Sequence, residues 1–256
     1  MMAIENEVLL QSARISETER KACVNILNNF NSTAMPLSDK AANFTNWART
    51  RDVARFLARF QLFKLIEEIP GCIFECGVHY GGGFSSWQHL SEIYEPVNFT
   101  RRIYGFDTFK GFPEVSNIDN LSKLSVHSTG DFDVGSEENL IIDTLKNIES
   151  TRKINVPERF NIVKGDISKT LPNLLSSDPS ISIALLYLDL DLYEPTYNVL
   201  KSCRSRLTKG SIVVFDEYAD PVWPGETNAL LDSFGISNVA MRCFKQIPRI
   251  SYFMVE

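Results

Sequence analysis

Two acidic pairs close two apolar runs in this chain. Asp189 and Asp191 follow Ile183-Ala184-Leu185-Leu186-Tyr187-Leu188, and Asp216 and Glu217 follow Ser211-Ile212-Val213-Val214-Phe215. An unbroken apolar run of this length reads as a buried parallel strand, and open α/β sheets bind ligands beyond the carboxyl ends of their strands. Acids gathered there repel one another unless a cation lies between them. The chemistry they suggest is a divalent metal or a positively charged substrate. Residues two apart on an extended chain share a face, and neighbouring strands lie ~4.8 Å apart. If the two strands are neighbours, Asp189 and Asp216 converge on one ion, with Asp191 pointing the same way.

A second set of residues suits a small organic ligand. The run Phe74-Glu75-Cys76-Gly77-Val78-His79-Tyr80-Gly81-Gly82-Gly83 leads from a strand into a helix, and its glycines let backbone approach a ligand closely. The spacing is neither GxGxxG nor a Gly-Lys-Ser/Thr phosphate loop. An acid just before a small-residue loop suits a ligand carrying an amino acid and a ribose. Two further strand ends carry acids, Tyr104-Gly105-Phe106-Asp107 and Lys164-Gly165-Asp166-Ile167. Asp107 is placed to accept from ribose hydroxyls and Asp166 from an adenine amino group, although Asp also caps helices.

These residues need a scaffold, and from residue 71 the pattern supplies one. Candidate strands Cys72–Cys76, Arg102–Phe106, Phe160–Lys164, Ile183–Leu188 and Ser211–Phe215 alternate with candidate helices Phe84–Ile93, Ser136–Ser150, a short Leu171–Leu175 piece, Pro195–Leu207 and Thr227–Phe234. Pro195 in a first turn and Gly210 past an end are ordinary helix punctuation. The alternation predicts a doubly wound, mostly parallel α/β sheet. Asn238–Glu256 reads as two strands joined around Gln246-Ile247-Pro248. Gly111–Val134 is a long polar connection, of the kind that is usually functional or disordered. Residues 1–69 read as a helical segment serving as a lid or oligomerisation surface, followed by a catalytic domain over 70–256. Within the segment, Arg51, Arg55 and Arg59 recur every four residues, as a solvated basic stripe or as a surface facing an anionic group.

The 256-residue chain is 44% hydrophobic, enough to bury a core, and its formal net charge of −6 argues against broad nucleic-acid binding. Five cysteines without a CxxC pair make a zinc site an unlikely reading and suggest a reducing compartment. The acidic amino terminus lacks a signal-peptide core, and no apolar run reaches the ~20 residues of a membrane span. A cytoplasmic protein is expected.

The glycine loop, Tyr-Gly-Phe-Asp-Thr-Phe, Leu-Asp-Leu-Asp-Leu-Tyr-Glu-Pro-Thr and Phe-Asp-Glu-Tyr occur in that order. The series resembles the macrocin O-methyltransferase family of metal-dependent sugar O-methyltransferases. The resemblance implies a class I methyltransferase fold, Rossmann-like, mostly parallel with an antiparallel C-terminal strand, preceded by N-terminal helices. It implies S-adenosylmethionine and Mg²⁺ or another divalent cation, and as acceptor a deoxysugar, nucleotide-linked or already attached to a natural product. Glu75, Gly77 and Gly81 would line the cofactor's amino-acid end, with Val78, Gly82 and Ser85 also against the cofactor. Asp107, followed by Thr108, would bind its ribose, and Asp166, between Gly165 and Ile167, would lie near its adenine. Asp189, Asp216 and Glu217 would hold the metal, Asp189 also touching the cofactor, and Asp191 would be the general base. His127, Tyr193, Trp223 and Glu226 are candidate acceptor contacts, and a homodimer or higher homo-oligomer is expected.

Three other readings compete. A metal-dependent methyltransferase acting on a catechol also needs a vicinal diol at the metal, so the acids do not separate it from a sugar enzyme. An NAD-dependent oxidoreductase is disfavoured by the glycine spacing and would leave the acids idle. A non-catalytic cofactor-binding protein gains nothing from four mutually repelling carboxylates.

Overall fold

The structure is a computed structural model, and it describes residues 16–121, 127–151 and 158–256. The first fifteen residues of the helical segment and positions 122–126 of the long connection lie outside that description. Two compact units divide between Arg55 and Phe56.

The first unit carries α1 (Glu17–Ser32), α2 (Leu37–Ala42) and the start of α3 (Thr50–Leu65). Ser16 caps α1 by accepting from the Glu19 amide at 3.2 Å, satisfying one of the donors a helix start leaves open. Phe30 meets Trp47 edge to face, and Lys40 lies over the Phe30 ring while donating to its carbonyl.

The second unit is an α/β sheet of seven strands. In chain order these are β1 (Cys72–Cys76), β2 (Ile103–Asp107), β3 (Phe160–Lys164), β4 (Ile183–Leu188), β5 (Leu207–Phe215), β6 (Arg242–Phe244) and β7 (Ile247–Met254). They lie side by side as β3-β2-β1-β4-β5-β7-β6. The first five run parallel, and β7 pairs antiparallel with both β5 and β6. Helices α4 (Gly82–Tyr94), α5 (Glu138–Ser150), α6 (Ile167–Ser177), α7 (Tyr193–Cys203) and α8 (Gly225–Ser233) fill the crossovers. Every residue of β1 and β4 is buried, which explains their continuous apolar runs. Phe74, Leu186, Leu188, Val213 and Phe215 anchor a core cluster on one face of the sheet, each stabilising the fold by roughly 1.5–3 kcal/mol.

The strand order reverses direction between β1 and β4, and this switch point is where such sheets open a crevice. Register brings the ends level. Cys76 pairs with Leu188, and Leu188 with Phe215. The ladder continues past them, with the Asp189 amide donating to Cys76 and the Asp216 amide to Leu188. The glycine loop and both acidic pairs therefore leave the sheet side by side.

Several boundaries differ from the sequence expectation. The short piece at Leu171–Leu175 is an eleven-residue helix, α6, despite Pro172 inside it. Gly210 does not follow a helix. It sits within β5 at φ +88°, with its amide donating to Val255, so α7 ends earlier and β5 begins earlier than expected. The tail forms two strands as expected, with the turn just before Ile247.

Candidate functional site

Carboxylate oxygens of Asp189, Asp191 and Glu217 lie within 4.8 Å of one another at the ends of β4 and β5. Glu217 is 2% exposed, and its Oε2 has no hydrogen-bond partner. A buried, unsatisfied carboxylate oxygen is costly, and a cation with hard oxygen preference is the partner that removes the cost. The donor set thus fits a magnesium- or calcium-like ion.

Strands β4 and β5 are neighbours as expected, but Asp216 is not in this cluster. Its fully buried carboxylate accepts from the Tyr187 hydroxyl and faces Arg249 at 3.6 Å. Tyr187 is inside β4, so this bond draws Asp216 back over the sheet, while the longer Glu217 side chain reaches the cluster. Asp191 also arrives by a different route from the expected extended strand. It sits at φ +60°, and the Leu192 amide folds back onto the Leu190 carbonyl at 2.6 Å. A tight turn, not strand alternation, brings it beside Asp189. Left-handed backbone at a non-glycine residue costs of order 1–3 kcal/mol and must be held in place by its surroundings.

Glu226 does the holding. It is fully buried in the first turn of α8. Its Oε1 accepts from the amides of Leu190 at 3.3 Å and Asp191 at 3.4 Å, and its Oε2 from that of Glu217 at 3.1 Å. One carboxylate thereby fixes the spacing of the two loops that carry all three acids. Burial, and then the charges of Asp191, Asp189 and Asp216, push its carboxyl well above the usual range. Glu226, expected as an acceptor contact, instead directs its oxygens to these backbone amides.

Two arginines complete the centre, and their particular partners are not legible in the sequence. Arg59, on α3, is 5% exposed and not part of a solvated stripe. Its guanidinium lies 3.5 Å from Glu75, 3.9 Å from Asp189 and over the Tyr187 ring. Arg249, on β7, contacts Glu217 as well as Asp216. Neither role has a local sequence signal, since both depend on elements distant in the chain. Tyr187 had one: a hydroxyl inside an otherwise apolar buried strand needs a partner.

The glycine loop touches the same centre. A Cβ on Gly77, at φ +97°, would lie 1.9 Å from the Asp189 carbonyl, so only glycine lets the two loops meet. Glu75 is 1% exposed and accepts from the Trp87 indole. A Cβ on Gly83 would strike its Oε1. Space remains open around Gly82, where nothing lies within 4 Å of a would-be Cβ. Asp107 accepts from the amides of Val78 and His79, both at 2.7 Å, and of Phe109 at 2.6 Å. A carboxylate offers about four acceptor positions, so Asp107 braces the loop and keeps capacity for a hydroxyl. Asp166 caps α6 through the Ser168 amide at 3.0 Å and pairs with Lys169 at 3.1 Å. Thr108 donates to Gly111, Ser85 to Gly82, and Gly165 takes φ +128° just before Asp166 and Ile167.

The long connection after β2 is folded back and tied down. Asp119 accepts from Ser116 and from the Tyr193 amide at the start of α7. His127 shares a 2.9 Å hydrogen bond with the Val222 carbonyl and stacks on Trp223 at 3.8 Å. His127 is thus engaged with the loop after β5. The Tyr193 hydroxyl donates to Asp232 on α8, and its ring stacks on Tyr197, which ties α7 to α8. None of Asp189, Asp191, Asp216 and Glu217 lines the cavity of about 220 Å³ between Phe84, Gln88, Leu145 and Phe160, which lies along edge strand β3. That cavity is lined by Lys146, Glu149, Glu158 and Lys164 as well as by apolar side chains, and it is separate from the acids at the ends of β4 and β5.

Comparison with known proteins agrees with this geometry. Residues 29–234 match the family model for macrocin O-methyltransferase (TylF). A tetracenomycin-C 4'-O-methyltransferase of Streptomyces olivaceus, named for its dimethoxy-rhamnosyl substrate, is 29% identical over 68% of this chain and 63% of its own length. The chain thus matches less than two thirds of that relative. A mycinamicin III 3''-O-methyltransferase of Micromonospora griseorubida is 24% identical over 71% of this chain and 68% of the relative. Among solved structures, the calicheamicin methyltransferase CalS11 superposes with a TM-score of 0.88 at 34% identity, covering 94% of each chain. The O-methyltransferase NovP shares the fold with a TM-score of 0.62 at 22% identity, covering 78% of this chain and 79% of its own. The sheet order, the level strand ends and these matches together place the chain, with its class I methyltransferase fold, in the macrocin O-methyltransferase family.

Proposed function

We propose that this protein transfers a methyl group from S-adenosylmethionine to a hydroxyl of a deoxysugar, with a divalent cation, Mg²⁺ by the chemistry of its donors, held at Asp189 and Glu217 within the cluster they form with Asp191. The acceptor sugar is nucleotide-linked or already attached to a natural product. The observation that carries the proposal is the three-carboxylate cluster, with its buried unsatisfied oxygen, set against the glycine loop at the switch point. In support, CalS11 is described as a TDP-rhamnose 3'-O-methyltransferase, and the curated relatives are named as O-methyltransferases of a rhamnosyl-tetracenomycin C and of mycinamicin III.

A sugar hydroxyl is a weak nucleophile at neutral pH. When bound, a divalent cation lowers the pKa of an oxygen it polarises. Asp189 and Glu217 would hold that charge. Asp191, set beside Asp189 by its left-handed turn, accepts the hydroxyl proton. The loop from Gly77 to Ser85 and the remaining acceptor capacity of Asp107 hold the cofactor so that oxygen, methyl and sulfur align, and this positioning supplies much of the acceleration. Second copies of the chain, packed through the N-terminal helices, are part of the same reading.

The test is methyl transfer from S-adenosylmethionine to a panel of TDP-deoxysugars and rhamnosides, with and without EDTA. Turnover that EDTA abolishes and Mg²⁺ restores is expected. Failure to bind S-adenosylhomocysteine, or EDTA-insensitive turnover, overturns the cofactor or the metal part respectively.

A further inference from the structure

Six rings form a continuous wall beside the acidic crevice. Its members come from three loops at the carboxyl ends of β1, β2 and β5. His79 packs on Tyr80 at 4.3 Å and meets Phe132 edge to face at 5.8 Å. Phe132 packs on Phe112 at 5.3 Å and on Trp223 at 5.9 Å, and Trp223 stacks on His127. The rear of the wall is buried, with Phe112 8% and His127 9% exposed. Its front is not, since Phe132 is 50% and Tyr80 58% exposed.

The wall is also rigid. The Gly130 amide donates to the Phe112 carbonyl, His127 bonds Val222, and Asp107 holds the Val78 and His79 amides. Phe132 and His79 both adopt left-handed backbone, at φ +66° and +49°. An aromatic residue in that conformation is a genuine outlier. A phenyl ring held open on strained backbone, with buried rings braced behind it, closes no core. Its free face suits stacking against another flat ring.

We propose that Phe132 and Tyr80 form an acceptor platform that stacks a planar aromatic group joined to the sugar being methylated. This rests on the sugar-methyltransferase reading and goes beyond it by assigning recognition of what the sugar is attached to. Two sources share the chemistry, the nucleobase of a nucleotide-linked sugar and a flat aromatic aglycone.

The experiment measures binding by calorimetry, with S-adenosylhomocysteine and Mg²⁺ present, for three probes: TDP-rhamnose, 4-nitrophenyl rhamnoside and methyl rhamnoside. At least one ring-bearing probe is expected to bind about tenfold more tightly than methyl rhamnoside, and which one does so identifies the source. Phe132→Ala and Tyr80→Ala should erase that difference, and Phe132→Tyr should keep it. Unaltered S-adenosylhomocysteine binding by Phe132→Ala shows that the fold survives. The platform is overturned if wild type does not favour a ring-bearing probe, if it binds none of the three, or if both alanine variants retain the preference. Methyl transfer measured in parallel keeps the two ideas apart. Turnover without ring preference sinks only the platform, and ring preference without turnover sinks only the methyltransferase reading.

Discussion

Single residues at this centre differ in role despite similar chemistry. Glu217 contacts Arg249 through one oxygen and presents the other, which has no hydrogen-bond partner, to the cluster, whereas Asp216 is bound by Tyr187 as well as facing Arg249 and lies outside the cluster. Glu217→Gln should therefore weaken Mg²⁺ binding more than Asp216→Asn does, as read from the metal concentration that half-restores turnover after EDTA. Asp216→Asn should act mainly on stability, lowering it by about 1–3 kcal/mol in urea unfolding, because it disturbs a buried charged hydrogen bond. The reverse order of metal effects would return Asp216 to the ligand set. Glu226 acts one step behind the ligands. Glu226→Gln should cost about 10–100-fold in metal affinity, as residues that orient ligands commonly do, while leaving S-adenosylhomocysteine binding in place. Metal affinity equal to wild type would show that its three backbone bonds are not what spaces the acids.

At the scale of elements, the site is built by strands ending level and by loops that touch. The contact between the loops after β1 and β4 passes through Gly77, where an added Cβ would lie 1.9 Å from the Asp189 carbonyl. Gly77→Ala should lower stability and weaken cofactor and metal binding together, since neither loop can retreat without moving its own ligands. Loss of only one of the two bindings would mean that the loops move independently. Helix α6 gives a separate test of Asp166. As a cap, Asp166→Ala should cost about 1 kcal/mol and Asp166→Asn much less, with S-adenosylhomocysteine affinity unchanged. A drop in cofactor affinity in both variants would assign the residue to adenine as well.

For the whole molecule, ligand linkage and pH provide the observables. A cation that binds only the folded cluster stabilises it by mass action, about 2.7 kcal/mol at a hundredfold excess over its Kd. Mg²⁺ should raise Tm and EDTA should reverse the rise. An unchanged Tm at millimolar Mg²⁺ would argue against the site. Far from the crevice, Asp178 receives hydrogen bonds from Ser180 and then from Arg102, which hold its carboxyl at about 2 against an ordinary 3.8. A depressed acid contributes stability that is complete above its unfolded value and is lost as pH falls through the folded one. The stability gap between wild type and Asp178→Asn should therefore be present at about pH 5 and close toward about pH 2. The pair is only partly buried, so solvent screening should keep the gap small.

The sequence by itself determined the repeating β/α frame. Buried parallel strands must be apolar throughout, and that constraint is written locally in runs such as Ile183–Leu188. It also determined that acids gather at two strand ends beside a glycine loop, since strand ends are legible wherever an apolar run stops. It did not determine which acids meet. Asp191 reaches the cluster through a left-handed turn stabilised by Glu226, thirty-five residues later. Asp216 is held apart by a tyrosine on the neighbouring strand, while an arginine from the antiparallel tail contacts both Asp216 and Glu217. Side-chain direction at a strand end depends on partners brought in by topology, and a one-dimensional pattern carries no record of them. The same holds for Arg59, which reads as one member of a basic stripe until the fold buries it between Glu75 and Asp189.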